Sequence, residues 1–263
     1  MKNVLVTGAA GFIAPHISNK CLSNGWNVTG IDILDPEDYS VINHHNYIFI
    51  KKDVRDLKTK DLEDIDYVFH MAFVTNIPNS INNPLETTFD NINMTAYILE
   101  ISTKAKIKKF LYPSTASLYG NNPIPWNERM SADPIEPYSW QKISCEYACK
   151  MWNKCYGLPT TIFRFFQIFG ENQRKDTAIS AFIRSKREGR PITLTETTAQ
   201  SSFRTGRRDF IYVKDVAKAF VEAMLSNKTG KGEVINIGSG KMTSMEEIAN
   251  AIGGEIKFIS KRS

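Results

Sequence analysis

Residues 2–14 read Lys2-Asn3-Val4-Leu5-Val6-Thr7-Gly8-Ala9-Ala10-Gly11-Phe12-Ile13-Ala14. A short apolar run stops at Thr7-Gly8, and apolar residues then recur at Ile13, Ile17 and Cys21. A spacing of four puts those three on one face of a helix. The stretch therefore predicts a strand, a tight turn and a helix. Gly8 can take a positive φ in the turn. Gly11 lets an anion approach the backbone at the helix N-terminus, where unbonded N–H groups and the helix dipole favour negative charge. Gly-x-x-Gly alone is equally compatible with a purely structural turn. Asp32 tips the balance, because it closes the next β-rich run about 20 residues further on. A carboxylate there accepts hydrogen bonds from an adenosine ribose and repels a 2′-phosphate, which points to NAD rather than NADP.

Working outward, Val4–Val6, Val28–Ile31, Tyr47–Ile50, Tyr67–Phe69, Phe110–Tyr112, Thr160–Phe163 and Val234–Ile237 read as strands. They are too apolar for solvent-facing hairpins, and several are separated by helix-length segments. Between them, Tyr97, Ile98 and Ile101 mark another helix face. Right-handed βαβ crossovers then favour an α/β fold, a Rossmann-like doubly wound parallel sheet. Residues 1–170 are expected to form the dinucleotide-binding domain, with 233–238 returning to it. Residues 171–263 are expected to form a small substrate lobe.

Composition narrows the function class. The chain has 263 residues, 42% hydrophobic and 23% charged, which excludes disordered and fibrous classes. No run approaches the length of a membrane span. The apolar start is cut at Thr7-Gly8, which argues against a signal peptide. The net charge of +5 is mild. Its denser stretches, Lys104–Lys109 and Arg204–Arg208, lack interleaved aromatics, so they read as solvated faces and not as a nucleic-acid surface. Cys21, Cys145, Cys149 and Cys155 match no zinc spacing and read as reduced thiols of a cytoplasmic protein. The tandem His44-His45 has no ligand set around it, so no metal is expected.

Tyr138 and Lys142 form Tyr-x-x-x-Lys, a spacing that aims both side chains at one place only on a helix. With 10 Tyr and 22 Lys, about one such pair is expected by chance, and Tyr47/Lys51 is a second. Tyr47 lies on a predicted strand, where the geometry is lost. Pro137 can open a helix at Tyr138. The segment Ser114-Thr115-Ala116-Ser117-Leu118-Tyr119-Gly120 ends another predicted strand, where ligand crevices form in such sheets.

Together these motifs resemble the NAD-dependent epimerase/dehydratase family of extended short-chain dehydrogenase/reductases, most of all its nucleotide-sugar 4-epimerases. The resemblance runs from Lys2 to about Ile252. It rests on Thr7-Gly-x-x-Gly-Phe-Ile13, Asp32, Asp53-Val54-Arg55-Asp56, His70-x-Ala72, Asn91-Ile-x-x-Thr95, Ser114-Thr115 and Tyr119-Gly120. It continues through Pro137-Tyr-Ser-x-x-Lys142, Arg164, Phe169-Gly170, Arg208-Asp-Phe-Ile-Tyr-Val-x-Asp215 and Asn236-Ile-Gly-Ser-Gly240.

The resemblance implies roles for individual residues. Gly8, Ala10, Gly11, Phe12 and Ile13 would hold the NAD pyrophosphate, and Asp32 its ribose. Asp53 and Val54 would contact adenine. Met71, Ala72, Phe73 and Asn91 would line the cofactor groove, and Phe166 would back the nicotinamide. Thr115, Tyr138 and Lys142 would be the catalytic trio, with Tyr138 and Lys142 also touching NAD. Thr115, Ser117, Gln167 and Arg208 would meet the substrate, Arg208 at its pyrophosphate, which a guanidinium suits well. A homodimer through the helices after Asn91 and Pro137 is also implied. His70 reads as structural.

The chemistry fits these residue types. A free phenol ionises near pH 10, so Tyr138 needs a cation such as Lys142 nearby to act as base at neutral pH. Ala116 and Ser117 stand where the family's 4,6-dehydratases carry Asp-Glu, which favours a 4-epimerase. A 4-keto-sugar reductase needs only the same trio and stays open, as do another dehydratase of the extended family and, in a different class, a dinucleotide-binding module without turnover. Phe73, Gln167 and Thr195 depart from the residues usual at their positions. The sugar lobe is expected to be C-terminally short, because relatives continue beyond Lys261-Arg262.

Overall fold

The computed structural model describes residues 1–37, 42–195 and 206–259. In chain order its first elements are β1 (Asn3–Thr7), α1 (Ala14–Leu22), β2 (Asn27–Asp32), β3 (Tyr47–Lys51) and β4 (Tyr67–His70). Then come α2 (Ile77–Asn82), α3 (Pro84–Lys104), β5 (Lys109–Thr115), α4 (Pro137–Tyr156), β6 (Thr160–Phe165) and β7 (Gln167–Phe169). After them run α5 (Ala178–Arg187), β8 (Ile192–Thr195), β9 (Arg208–Tyr212), α6 (Val213–Leu225), β10 (Glu233–Ile237), β11 (Met242–Thr243), α7 (Met245–Ile252) and β12 (Ile256–Ile259).

The chain divides into two compact units, Met1–Phe165 with Lys214–Ile237, and Phe166–Val213 with Gly238–Ser263. The first holds a seven-stranded sheet in the order β10-β6-β5-β4-β1-β2-β3, parallel throughout. Each of the seven runs read as strands from sequence lies within it. β5 and β6 are buried along their whole length, and Phe110-Leu111-Tyr112 and Ile162-Phe163 are their apolar centres, with the buried polar side chains Lys109, Ser114, Thr115, Thr160, Thr161 and Arg164 beside them. From β1 the chain works outward to β2 and β3, then crosses back to β4. The strand order thus reverses between β1 and β4, and the carboxyl ends there open the usual ligand crevice.

Two cores flank this sheet. On one face Leu5, Val68, Ile98, Phe110 and Ile162 share a cluster with Cys145 and Cys149 of α4. Elsewhere in the same unit Phe69, Phe163 and Phe165 gather round Phe220 of α6, with ring centroids 4.8–5.8 Å apart. α4 begins where Pro137 predicts a helix, and Glu136 caps it by accepting the Ser139 N–H at 3.0 Å.

One expectation fails here. Lys109 belongs to the basic run Lys104–Lys109 that reads as a solvated face, yet it is buried. Its Nζ donates to the carbonyls of Ala223 at 2.8 Å, Met224 at 3.2 Å and Ser226 at 2.6 Å, and to Thr229 Oγ1 at 2.9 Å. These carbonyls end α6, where unbonded oxygens and the negative dipole end attract a cation. Lys104 and Lys108 do lie at the surface, paired with Glu100 and Asp66. Arg204 falls outside the described residues.

The second unit has a three-stranded sheet, β11-β9-β7, and a parallel pair, β12-β8. Phe182 of α5, Ile192, Leu194 and Ala249 of α7 form its small core. Among the described residues no helix is long and apolar enough to cross a membrane.

Candidate active site

The turn after β1 is built as its glycines require. Gly8 has φ +67°, and a β-carbon there would lie 2.7 Å from Ala72 N and 2.8 Å from Met71 C. Gly8 is thus needed both for its dihedral and for the close approach of the chain leaving β4. Gly11 N–H bonds Gly8 O at 3.0 Å. A β-carbon on Gly11 would meet only Gly8 O, at 3.1 Å, so glycine leaves an open cradle beside the loop. α1 follows with Ile13 as N-cap, no side-chain cap bond and no acidic residue in its first turn. Its leading N–H groups keep their capacity for an anion. Ala10, Phe12 and Ile13 are half-buried along this loop.

Asp32 ends β2, as expected. Its Oδ2 accepts Ala10 N–H at 2.9 Å and its Oδ1 accepts Leu34 N–H at 3.0 Å. Each oxygen still has acceptor capacity for a hydroxyl. Asp53 caps a 3₁₀ turn (Val54–Asp56) and pairs with Arg55 at 2.7 Å, which also bonds Asp90 at 2.8 Å. Hydrogen bonds from Arg55 hold the Asp53 carboxyl below the usual carboxylate range. Val54 is buried beneath the turn.

The segment leaving β4 carries Met71, Ala72 and Phe73, all half-buried. It is held on both sides of Phe73. Ala72 N–H donates to Thr7 Oγ1 at 3.1 Å, and Val74 N–H donates to Asn91 Oδ1 at 2.7 Å. Asn91 is buried behind this segment and also donates to Gln141 Oε1 at 2.8 Å. His70 is buried, with Nδ1 2.9 Å from Thr7 Oγ1. Burial and the nearby Lys142 push His70 down to about 3, so it is a neutral structural group.

Tyr138 and Lys142 occupy successive turns of α4. Both touch one ring. Phe73 meets Tyr138 edge-to-face, with centroids 5.9 Å apart and planes at 83°, and lies 3.6 Å from Lys142 Nζ. Lys142 is buried and donates to Pro113 O at 2.7 Å, two residues before Thr115 in β5. Burial pulls its ammonium down to about 7. Thr115 Oγ1 accepts Ser117 N–H at 3.1 Å, which leaves the hydroxyl proton to donate. Ala116 is buried and Ser117 is exposed in the 3₁₀ turn (Ala116–Tyr119) that follows.

Behind this trio lies a network that sequence reasoning missed. Glu146, one turn beyond Lys142, is fully buried. It accepts from Arg164 Nε at 2.9 Å and Nη2 at 2.8 Å, and from Ser114 Oγ at 2.5 Å. Arg164 also bonds Tyr119 OH at 3.0 Å, and Tyr119 donates to Asn236 Oδ1 at 2.7 Å. The network ties α4, β5, β6 and β10 together immediately next to Thr115. Its signal in the sequence was the spacing itself, because 138, 142 and 146 continue one row.

Three expected residues belong to the second unit. Gln167 is exposed at the start of β7, in register with Phe210. Arg208 is half-buried at the start of β9, and its Nη1 donates to Arg207 O at 2.8 Å. Phe166 precedes β7 and lies beneath Gly238, where a β-carbon would sit 3.0 Å from its ring. Asp209, beside Arg208, accepts N–H bonds from Ser239 at 2.7 Å and Gly240 at 2.8 Å, which anchors that glycine turn.

A model of the NAD dependent epimerase/dehydratase family matches residues 4–238. The chain belongs to that family. Among solved structures, the UDP-N-acetylglucosamine 4-epimerase of Methanobrevibacter ruminantium, in complex with UDP-N-acetylmuramic acid, is similar with a TM-score of 0.90 and 32% identity. The match covers 99% of this chain and 86% of that one. The UDP-glucuronic acid 4-epimerase of Bacillus cereus, in complex with UDP-glucuronic acid and NAD, gives 0.86 and 30%, covering 98% and 86%. A dTDP-D-glucose 4,6-dehydratase of Bos taurus is 30% identical over 275 residues, 100% of this chain and 75% of that protein. The family's cofactor is NAD. The open cradle at Gly11, the uncapped start of α1 and the carboxylate ending β2 fit its pyrophosphate and ribose.

Proposed function

We propose that this protein is a nucleotide-sugar 4-epimerase, with Thr115, Tyr138 and Lys142 as its catalytic residues. The observation that carries this reading is the joint placement of Tyr138 and Lys142 around one ring, with Lys142 bonded to the strand that ends in Thr115. NAD, when bound, would supply the hydride acceptor and donor for inversion at sugar C4. Tyr138 accepts the proton of the C4 hydroxyl as the bond to hydrogen breaks, then gives it back. The Lys142 ammonium favours the phenolate that does this. Thr115 donates to the same sugar oxygen and fixes its direction. Neither Ala116 nor Ser117 can exchange protons at C5 and C6, which weighs against the dehydratase chemistry of the bovine relative.

The substrate side of the reading names Ser117, Gln167 and Arg208, the last for the pyrophosphate. Incubation with NAD and a panel of UDP- and dTDP-hexoses tests it. The expected product is a C4 epimer without net change in NADH absorbance. Stoichiometric NADH loss with a 4-keto sugar would identify a reductase instead, and NAD binding without any turnover a binding module.

On the cofactor side, Gly8, Ala10, Gly11, Phe12, Ile13 and Asp32 hold NAD, with Asp53, Val54, Met71, Ala72, Phe73, Asn91 and Phe166 around it. Each hydrogen bond to a charged group contributes about 1.5–3 kcal/mol, so Asp32→Ala should raise the NAD Kd about 10- to 100-fold. It should also narrow the preference over NADP, since the repelling charge is gone. Calorimetric titration with both nucleotides checks this.

A homodimer through α3 and α4 is part of the same reading. These helices pack on each other and leave Leu85, Phe89, Trp140, Tyr147 and Met151 exposed. Apolar patches of this kind mark association surfaces. Sedimentation as a monomer at micromolar concentration would contradict it. The thiols of Cys21, Cys145, Cys149 and Cys155 are unpaired, which agrees with a reducing compartment such as the cytoplasm.

A further inference from the structure

The Lys142 ammonium is buried without a carboxylate of its own. Among the described residues its hydrogen-bond partner is Pro113 O, and aromatic rings cover it, Phe73 at 3.6 Å and Tyr112 at 5.0 Å to the centroids. The ionisable groups that face it are few. From α4 these are Cys145, Glu146 and Cys149, from β4 His70, and from β5 Tyr112, while Tyr138 of α4 shares the Phe73 ring. Burial pushes both thiols and the Tyr112 hydroxyl up, so they carry no charge at neutral pH. His70 is neutral as well. Glu146 is taken by Arg164 of β6 with two hydrogen bonds.

An ammonium in this setting loses its proton easily, and the trio needs it charged. The face of an aromatic ring carries the negative lobe of the ring quadrupole and attracts a cation. Phe73 presents such a face at contact distance. Its backbone is fixed on both flanks, at Ala72 by Thr7 and at Val74 by Asn91. The ring position is therefore built into the scaffold. The same ring stands edge-to-face with Tyr138.

We propose that Phe73 is a positioning residue of the reaction: its ring holds the Lys142 ammonium in place as a cation and keeps Tyr138 aligned beside it. This rests on the catalytic trio assigned above and adds to it a role distinct from lining the cofactor groove. A groove wall would act through shape alone. A cation holder acts through the electron density of its ring.

The test uses the full chain with ¹³C,¹⁵N-lysine and follows the Lys142 side chain by NMR through a pH titration, without substrate. Phe73→Leu keeps an apolar side chain and removes the ring. It should lower the Lys142 midpoint by about half a unit to one and a half units. Phe73→Tyr and Phe73→Trp keep the ring and should stay close to wild type. The alkaline limb of kcat/KM should move to lower pH in Phe73→Leu by the same amount. Should Phe73→Leu fold poorly, fluorinated phenylalanines at 73 preserve shape while weakening the ring face, and the midpoint should fall step by step with fluorine count. An unchanged midpoint in Phe73→Leu, or a flat fluorine series, overturns the proposal. The two readings fail separately. Wild-type protein that epimerises no sugar refutes the activity whatever the titration shows, whereas a flat titration in an active enzyme refutes only the role of Phe73.

Discussion

Tyr138→Phe should still bind NAD and epimerise about 10²- to 10⁴-fold more slowly, the usual size of a general acid–base contribution. The substitution removes one oxygen and keeps the ring that meets Phe73, so the packing of α4 is preserved. What disappears is the atom to which the proposed mechanism gives the proton of the C4 hydroxyl. Lys142 and Thr115 cannot replace it, because the amine is bonded to Pro113 O and the threonine acts as a donor. The loss should fall on kcat more than on KM, since the phenol works while the bond breaks. Steady-state rates with the accepted sugar, beside an NAD titration of the same sample, check it. A variant with wild-type turnover would remove Tyr138 from the mechanism.

Glu146→Ala should destabilise the fold by about 3–5 kcal/mol, the cost of leaving one partner of a buried ion pair alone. The Arg164 guanidinium would lose both hydrogen bonds to Glu146 while staying buried, and Ser114 would lose its acceptor. Arg164 cannot discharge to relieve this, since guanidinium stays protonated in proteins. Urea denaturation should show a lower midpoint for Glu146→Ala. The double variant Glu146→Gln with Arg164→Met, which leaves no uncompensated charge, should recover part of the loss. If Glu146→Ala alone unfolds at the wild-type midpoint, the pair contributes nothing to stability.

Much of this was legible from the residues, for physical reasons. Parallel strands covered on both faces carry short apolar centres, and Phe110–Tyr112 of β5 and Ile162-Phe163 of β6 mark theirs, although charged and hydroxyl residues flank them. The turn at Gly8 was legible because only glycine tolerates both its dihedral and the neighbouring backbone. α4 was legible because Pro137 starts it. Lys109 was not, because its neighbours Lys106 and Lys108 suggest a wet surface. The carbonyls that hold it lie more than 100 residues away in sequence. The pairing of Glu146 with Arg164 was hidden in the same way, since it joins a helix to a strand across a turn. The short strands of the second unit were also silent. β8 alternates buried and exposed residues over four positions, and its partner β12 comes some 60 residues later.

Tyr138, Lys142 and Glu146 share one stripe of α4, and this makes the helix intolerant of a change in length. A single alanine inserted between Lys142 and Glu146 would rotate everything downstream by about 100°. Glu146 would swing away from Arg164, and Cys149 would leave the core. An enlargement of four residues nearly restores the angular phase but shifts the carboxylate along the axis by about 6 Å. The proposed chemistry and the fold therefore share one helical phase. Variation in this protein should be accommodated in its loops, and α4 should keep its residue count between Pro137 and Gly157.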